Sequence, residues 1–407
     1  MKALLLAPVL SAVSGMTAAQ EMWDLPPIRY SKTVATDPLA RLMKTGTTLP
    51  QGSEQETLRF LLRLLEIPES SQLLVYSKTS AQNYFISPRT PRALHFNENA
   101  YVGHALGGGF ELIIHDDHLG AVFYFIEPEP GSQKLEIQRN TTSCLNCHAT
   151  RRTESVPGLT VRSVPTDADG NLLLPLGSTR TDHRTPLPMR WAGYYVTGGS
   201  ALPHLGNRTF TMTGGLLPDQ PQETFKTVSG KIDVSRYLTD TSDIVALMVL
   251  EHQCLMHNLL INASMEFRRA SWLEESTGSP QAAVLAEAKA PGIADVMLFK
   301  DEAPIGDGGV DGSPAYQTAF TSRFPKTKAG DSLADFHLGN RLFKNRCSYM
   351  IHSKAFTSLP APVKKAVFRE LEQRLTSGNG CGWIPEGERK RILVILHETV
   401  PGFADGP

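Results

Sequence analysis

Hydrophobic positions along the chain follow two rhythms, with an irregular stretch between them. "TLRFLLRLLEI" repeats its apolar residues at helical spacing behind the capping-box pair Ser53 and Glu56, and Pro68 follows. An amphipathic helix is predicted there. Five short β-like runs come next: "QLLVYS", "NYFIS", "FELIIHD", "AVFYFIE" and "KLEIQ". The third and fourth flank "DHLG" and predict a hairpin, so residues 70–139 should form a small, largely antiparallel sheet. Residues 140–220 lose the rhythm, apart from "WAGYYVTG"; Arg, Pro, Gly and Thr dominate, and so long an irregular wrap suits a functional segment.

From Ser242 the period becomes helical. "SDIVALMVLEHQCLMHNLLINASMEFRRA" holds no Gly or Pro and is apolar nearly all round at first, which predicts a buried central helix. Further helices are expected around "APGIADVMLF", interrupted near Pro291, and near 332–352, 362–376 and 386–399, with "GDGGVDGSP" as a loop. Residues 20–52, rich in Pro, Thr and Gly, read as an extended arm. The fold expected is α+β, with a helix and β-rich part over 53–139 and a helical region over 240–402 packing on the segment 140–220. No internal repeat or low-complexity segment is present.

The first residues add a compartment. Lys2, an apolar run from Ala3 to Val13 and the small residues Thr17-Ala18-Ala19 have the layout of a secretory signal peptide over 1–19, cleaved near Ala19. The run is too short to span a bilayer. A periplasmic or otherwise exported protein with no membrane span after cleavage is expected. The formal net charge of -1 offers nothing to a nucleic acid. Five cysteines are an odd number, so a disulfide framework is not what holds a chain of 407 residues together.

The chemistry concentrates in "TTSCLNCHATRR". Four uses of Cys144, Cys147 and His148 compete. Covalent c-type haem needs two thiols three residues apart for the vinyl groups and the next His as proximal iron ligand, and attachment outside the cytoplasm agrees with the leader. Structural zinc needs four ligands, and only His252 and His257 offer a further pair. A thioredoxin-like dithiol needs a βαβ setting. A plain disulfide leaves His148 without a role. One covalent haem c on Cys144 and Cys147, with His148 as proximal ligand, is the reading on which the motif and the export signal agree.

The other axial ligand decides what such a haem does. On the long helix Met248, His252 and Met256 share a face with Val245, Val249, Leu255, Leu259 and Ala263, while His257 lies about 140° away. His252 is the first candidate distal ligand and His204, in the Gly-containing "ALPHLGNRT", the second; His183 and Met256 follow. The plainer reading of His252 is a core histidine, and of the methionines ordinary packing. Arg151, Arg152, Arg162, Arg180, Arg184 and Arg190 flank the motif. Arg162 and Arg190 are the candidates for holding haem propionates, because each abuts an apolar or aromatic run. Trp191, Tyr194 and Tyr195 could pack against a porphyrin or belong to a strand.

"CLNCHATRRTESVPGLTVRSVPTDADGN", "TDHRTPLPMRWAGYYVTGG", "PHLGN", "SDIVALMVLEHQCLMHN" and "LFKNRCSYMIHSKAFTSLP" resemble a family of exported bacterial proteins with a single cytochrome c-type CxxCH. The likeness extends upstream to "SKTSAQNYFISPRTPRALHFNENAYVG". It implies that residues 70–400 form one recurring unit. The chain departs from the family's usual pattern at Pro203-His204-Leu205-Gly206-Asn207, where members often have Arg-His-Met-Gly-Asn and so a Met at the place of Leu205, and at His104-Ala105-Leu106 in place of Trp-Val-Pro. The function expected is single-electron transfer with an unidentified redox partner protein. The alternatives are a haem enzyme or gas or redox sensor with an open distal position, and a haem with a structural or interaction role.

Overall fold

The computed structural model describes residues 21–46, 48–50, 52–128, 134–212 and 223–404; the expected signal peptide lies outside them. A six-stranded antiparallel meander forms the N-terminal half: β1 (Leu73–Val75), β2 (Arg92–Phe96), β3 (Ala100–His104), β4 (Phe110–Asp116), β5 (Gly120–Pro128) and β6 (Leu135–Asn140), each paired with the next. The predicted hairpin joins β4 to β5. Asp116 Oδ1 accepts from the N–H groups of His118 and Leu119, both at 2.9 Å, and Gly120 takes a left-handed φ of 69°. A Cβ at Gly120 would stand 2.6 Å from Ile261 Cγ2, so the turn needs glycine twice over, for its conformation and for its approach to the long helix. "NYFIS" is not a strand but a 3₁₀ turn over Asn83–Phe85. β2 and β3 escape the β-run pattern because Arg, His and Gly interrupt their apolar residues.

Two helices precede the sheet, α1 (Pro38–Thr45) and α2 (Glu54–Leu64). The capping box of α2 closes both ways: Ser53 N donates to Glu56 Oε2 at 2.7 Å and Glu56 N to Ser53 Oγ at 3.3 Å. The stretch expected as an extended arm is folded onto the body instead. Asp37 caps α1, Trp23, Ile28, Tyr30 and Leu39 are buried, and Tyr30 Oη donates to the Ala121 carbonyl at 2.7 Å. Anchors so widely spaced carry no local period.

One short helix, α3 (Leu145–His148), follows the sheet, then a long irregular wrap. The helical half comprises α4 (Ile244–Thr277), α5 (Ala282–Met297), α6 (Pro314–Thr321), α7 (Lys354–Thr357), α8 (Ala361–Ser377) and α9 (Glu386–Thr399). Asp243 Oδ1 caps α4 by accepting from Val245 N and Ala246 N, both at 3.0 Å, and Gly278 ends it at φ 72°. Every side chain from Ile244 to Asn258 is buried. α4 is long and apolar enough to cross a membrane, with a mean hydropathy of 1.5, but that apolar window is 94% inside the protein. α5 continues through Pro291. The helices expected near 332–352 are absent except for a 3₁₀ turn at Tyr349–His352. Polar side chains there bind the backbone instead: Asp335 Oδ2 accepts from Ser332 N at 2.8 Å, and Asn345 Nδ2 donates to the Ser332 carbonyl at 2.8 Å.

Candidate functional site

The CxxCH segment is fixed at both ends. Asn140 Oδ1 accepts from Thr142 N and Cys144 N at 3.2 and 3.0 Å, which starts the turn, and buried Leu145 anchors it. Cys147 N and His148 N then donate to the Cys144 carbonyl at 3.2 and 3.0 Å. His148 and Gly158 clamp each other: Gly158 N donates to the His148 carbonyl at 2.8 Å, and His148 Nδ1 lies 2.9 Å from the Gly158 carbonyl. A carbonyl can only accept, so Nδ1 carries the proton and Nε2 keeps its lone pair.

The next layer belongs to α4. Asn258 Oδ1 accepts from Leu159 N at 2.8 Å, and its Nδ2 donates to the Leu159 carbonyl at 2.7 Å. A Cβ at Gly158 would stand 2.3 Å from Asn258 Oδ1, so only glycine lets this loop press so close to the helix. The His148 ring packs on Phe123 with centroids 5.1 Å apart. Burial lowers its pKa and keeps the imidazole neutral, the form that binds metals.

His148 and Cys147 border a cleft of about 230 Å³ between the sheet, the 150–162 loop and α4. Its floor is one face of the sheet. In the ladder Leu94 pairs with Gly103 and Gly103 with Glu111, while Tyr101 pairs with Ile113, and all five line the cleft together with Arg92. A Cβ on Gly103 would lie 3.2 Å from Leu94 Cδ2 and 3.5 Å from Glu111 Oε2, so glycine leaves the floor flat. Tyr194, Leu250 and Cys254 add to the wall, as do Arg152 and Arg162. Three guanidiniums face the single carboxylate of Glu111, which pairs with Arg92 at 2.5 Å. The excess of positive charge suits an anionic group. Sequence reasoning missed Arg92, Tyr101 and Glu111. The available signal was period two: the half-buried positions of β2, β3 and β4 are 92, 94, 101, 111 and 113, with charges alternating into otherwise apolar strands.

The other expected ligands lie elsewhere. Arg162 lines the cleft and donates from Nη2 to Ser178 Oγ at 2.7 Å. Arg190 does not reach the cleft; it is 1% exposed and paired with buried Glu251 at 2.7 Å. His252 is also out of reach. Its Nε2 is 2.7 Å from Ser348 Oγ and its Nδ1 3.2 Å from His183 Nδ1, and its ring stacks on Phe299 at 4.2 Å. Both nitrogens are used, as in a core histidine. His183 shares that core. His204 is buried against Trp191, with Nδ1 accepting from Gly206 N at 3.1 Å. Met248 and Met256 are core residues. No second histidine and no methionine is among the residues lining the cleft.

These surroundings do not favour the other uses of the motif. The six-stranded sheet is an antiparallel meander, and among the described residues no βαβ unit is present. Burial, with Glu111 and Cys147 adding to it, pushes the Cys144 thiol up to about 11, whereas a redox dithiol needs a stabilised thiolate. His252 and His257 are occupied separately, His257 Nδ1 lying 2.9 Å from Tyr101 Oη. Among the described residues no three His, Cys, Asp or Glu converge on a metal position. All five cysteines are free. Comparison with protein-family models, curated proteins and solved structures gives no match.

Proposed function

We propose that the chain is an exported mono-haem c protein. Haem is attached through Cys144 and Cys147, His148 Nε2 is its protein ligand, and the side of the iron away from His148 is left to a small molecule. The observation that carries this reading is the mutual clamp of His148 and Gly158, which aims a neutral imidazole with a free Nε2 lone pair from the cleft wall. Bound there, haem supplies one-electron redox chemistry and an iron that can take up a diatomic molecule or peroxide. Arg152 and Arg162, with Arg92 partly neutralised by Glu111, match the charge of two propionates. Leu94, Ile113, Leu159, Val161 and Leu250 supply apolar contact. The cleft is smaller than the ~300–1,000 Å³ usual for ligand sites, so a porphyrin would keep an edge in solvent beside exposed Cys147.

Among the described residues lining the cleft there is no second His and no Met, which favours a ligand-binding haem enzyme or sensor over an electron carrier. Single-electron exchange with a redox partner is the second reading, favoured by the exposure of Cys147 at the mouth. The test is expression with cytochrome c maturation machinery, then absorption spectra of the oxidised, reduced and CO-treated protein. A covalent, high-spin haem that binds CO is expected. A low-spin haem indifferent to CO would return the assignment to the electron carrier, and no haem surviving denaturation would overturn both.

A further inference from the structure

One oxidisable side chain in the cleft wall is hydrogen-bonded to a base. Tyr101, on β3, lines the cleft, and its Oη lies 2.9 Å from Nδ1 of His257, on α4. The two rings meet edge to face, with centroids 5.7 Å apart and planes at 72°. Phe96 lies nearly parallel to the Tyr101 ring at 6.3 Å. Gln253, one turn before His257, also holds the hydroxyl. Its Nε2 donates to Tyr101 Oη at 2.6 Å and to the Asn97 carbonyl at 2.8 Å, and its Oε1 accepts from Tyr349 Oη at 3.0 Å.

The hydrogens follow from these partners. Tyr101 Oη accepts from the Gln253 amide, so its own hydrogen goes to His257 Nδ1. Burial pushes the pKa of His257 down to about 3, which leaves the imidazole neutral at pH 7 with one N–H and one lone pair. The Glu98 carbonyl approaches the ring and can only accept, which suits an N–H on Nε2, although no well-formed bond closes there. Burial, with Cys254 nearby, holds the Tyr101 phenol well above its ordinary pKa, so it does not ionise by itself. In such a low-dielectric wall the phenol loses an electron at low cost only if its proton leaves too, because an uncompensated cation is heavily penalised. His257 Nδ1 is an acceptor already in place. Packing alone does not call for this arrangement, since a Phe at 101 would fill the wall without polar groups to pair.

We propose that Tyr101 is a redox-active residue of the cleft, with His257 as the base that takes its proton, and that the substrate it serves is a peroxide. The inference rests on the haem reading of the cleft. Two electrons pass from the bound haem to the peroxide as its O–O bond breaks and two protons are taken up, giving water and, from an alkyl peroxide, an alcohol. Tyr101 then gives one electron back to the haem and its hydroxyl proton to His257 Nδ1, which leaves a neutral tyrosyl radical beside an imidazolium. Two electrons from an external donor such as ascorbate, one to Tyr101 and one to the haem, close the cycle. His257 returns its proton to the phenol oxygen.

Two measurements on the full chain test this. The haem-loaded protein is mixed with hydrogen peroxide, frozen within milliseconds and read by electron paramagnetic resonance. Wild type should show a tyrosyl radical. Tyr101→Phe should lose it, and His257→Phe should form it roughly tenfold or more slowly, the share a positioned base supplies, with the resting absorption spectrum of both variants unchanged. A merely structural role for the pair would move neither the radical nor its rate. The second measurement needs no variant. Nitrogen-15 NMR of the histidine-labelled chain, kept diamagnetic by reduction under CO, should show His257 Nδ1 as an unprotonated acceptor. A protonated Nδ1 overturns the proposal, as does a radical that survives in Tyr101→Phe. No covalent haem overturns the haem reading and the peroxide step with it, whereas a covalent haem whose reaction with peroxide leaves no radical on Tyr101 overturns the redox role alone.

Discussion

His148 and His252 are both histidines on helices, both close to aromatic rings and both plausible iron ligands from the sequence. Their surroundings differ in what is left unbonded. His252 has Ser348 on one nitrogen and His183 on the other, with Phe299 stacked on its face. His148 has one nitrogen held by a carbonyl and the other free at a cleft. A histidine bonded at both nitrogens has its orientation and tautomers committed to the fold. One bonded at a single nitrogen is oriented but still chemically available. The same contrast holds for the arginines. Arg190 is sealed against Glu251 in the core, whereas Arg162 and Arg152 border the cleft with charge to spare.

The largest effect should come from exchanging the roles. His148→Ala should abolish the proximal ligation of haem, while His252→Ala should leave the haem spectrum as in wild type and lose about 2–4 kcal/mol of stability through unpaired Ser348 and His183. Spectra and denaturant unfolding of the two variants check this, and a spectral shift in His252→Ala would break the comparison.

The arginines come next. Arg190→Met leaves the Glu251 carboxylate buried and unpaired, a loss of about 3–5 kcal/mol. Arg162→Ala should cost no more than about 1 kcal/mol but weaken haem retention during maturation. Equal stability losses would mean that Arg162 is structural too.

Much of the frame was legible because it is written locally. The Ser53–Glu56 capping box, the "DHLG" hairpin, the start of α4 and the Gly378 stop of α8 depend on residues within a turn of one another. The CxxCH, on which the haem proposal rests, is local in the same way. Which side chains of α4 line the cleft was not legible, because it depends on which face of the helix meets which neighbour. Met248, His252 and Met256 do share a stripe, but that stripe meets His183, Phe299 and Ser348. The cleft takes Leu250 and Cys254, each two residues and so about 200° from His252. An all-apolar helix gives no signal to choose between such faces. The polar floor of the cleft comes from β2, β3 and β4, whose register is set by pairing and not by any motif.

Asn258 probes the link between the two regions, since it sits on α4 among core residues yet holds the loop behind His148. Asn258→Ala removes both bonds to Leu159, with an expected loss of about 1–3 kcal/mol and a change in the iron's spin state or absorption as His148 loosens. Asn258→Asp, which keeps the acceptor for Leu159 N, should fall between. A wild-type spectrum in Asn258→Ala would show that the clamp between His148 and Gly158 holds without help from α4.

The smallest effect is a dependence on pH, and it belongs to the core side of the comparison. Burial lowers the pKa of His183 to about 4 from 6.5, and His252 is lowered as well. The unfolded chain therefore takes up a proton at a pH where folded His183 remains neutral. Stability is fully present above about pH 6.5 and falls as the pH drops toward 4, by about 1.4 kcal/mol per unit for one proton. His183→Gln should remove that share of the slope, measured by urea unfolding at pH 7 and pH 5, at the cost of a weaker partner for His252. His148 bears on the opposite question. If its Nε2 binds iron as proposed it cannot protonate, so loading with haem should stabilise the chain more at pH 7 than at pH 5, where acid competes for that lone pair. A haem-dependent stabilisation that ignores pH would mean that His148 is not the ligand.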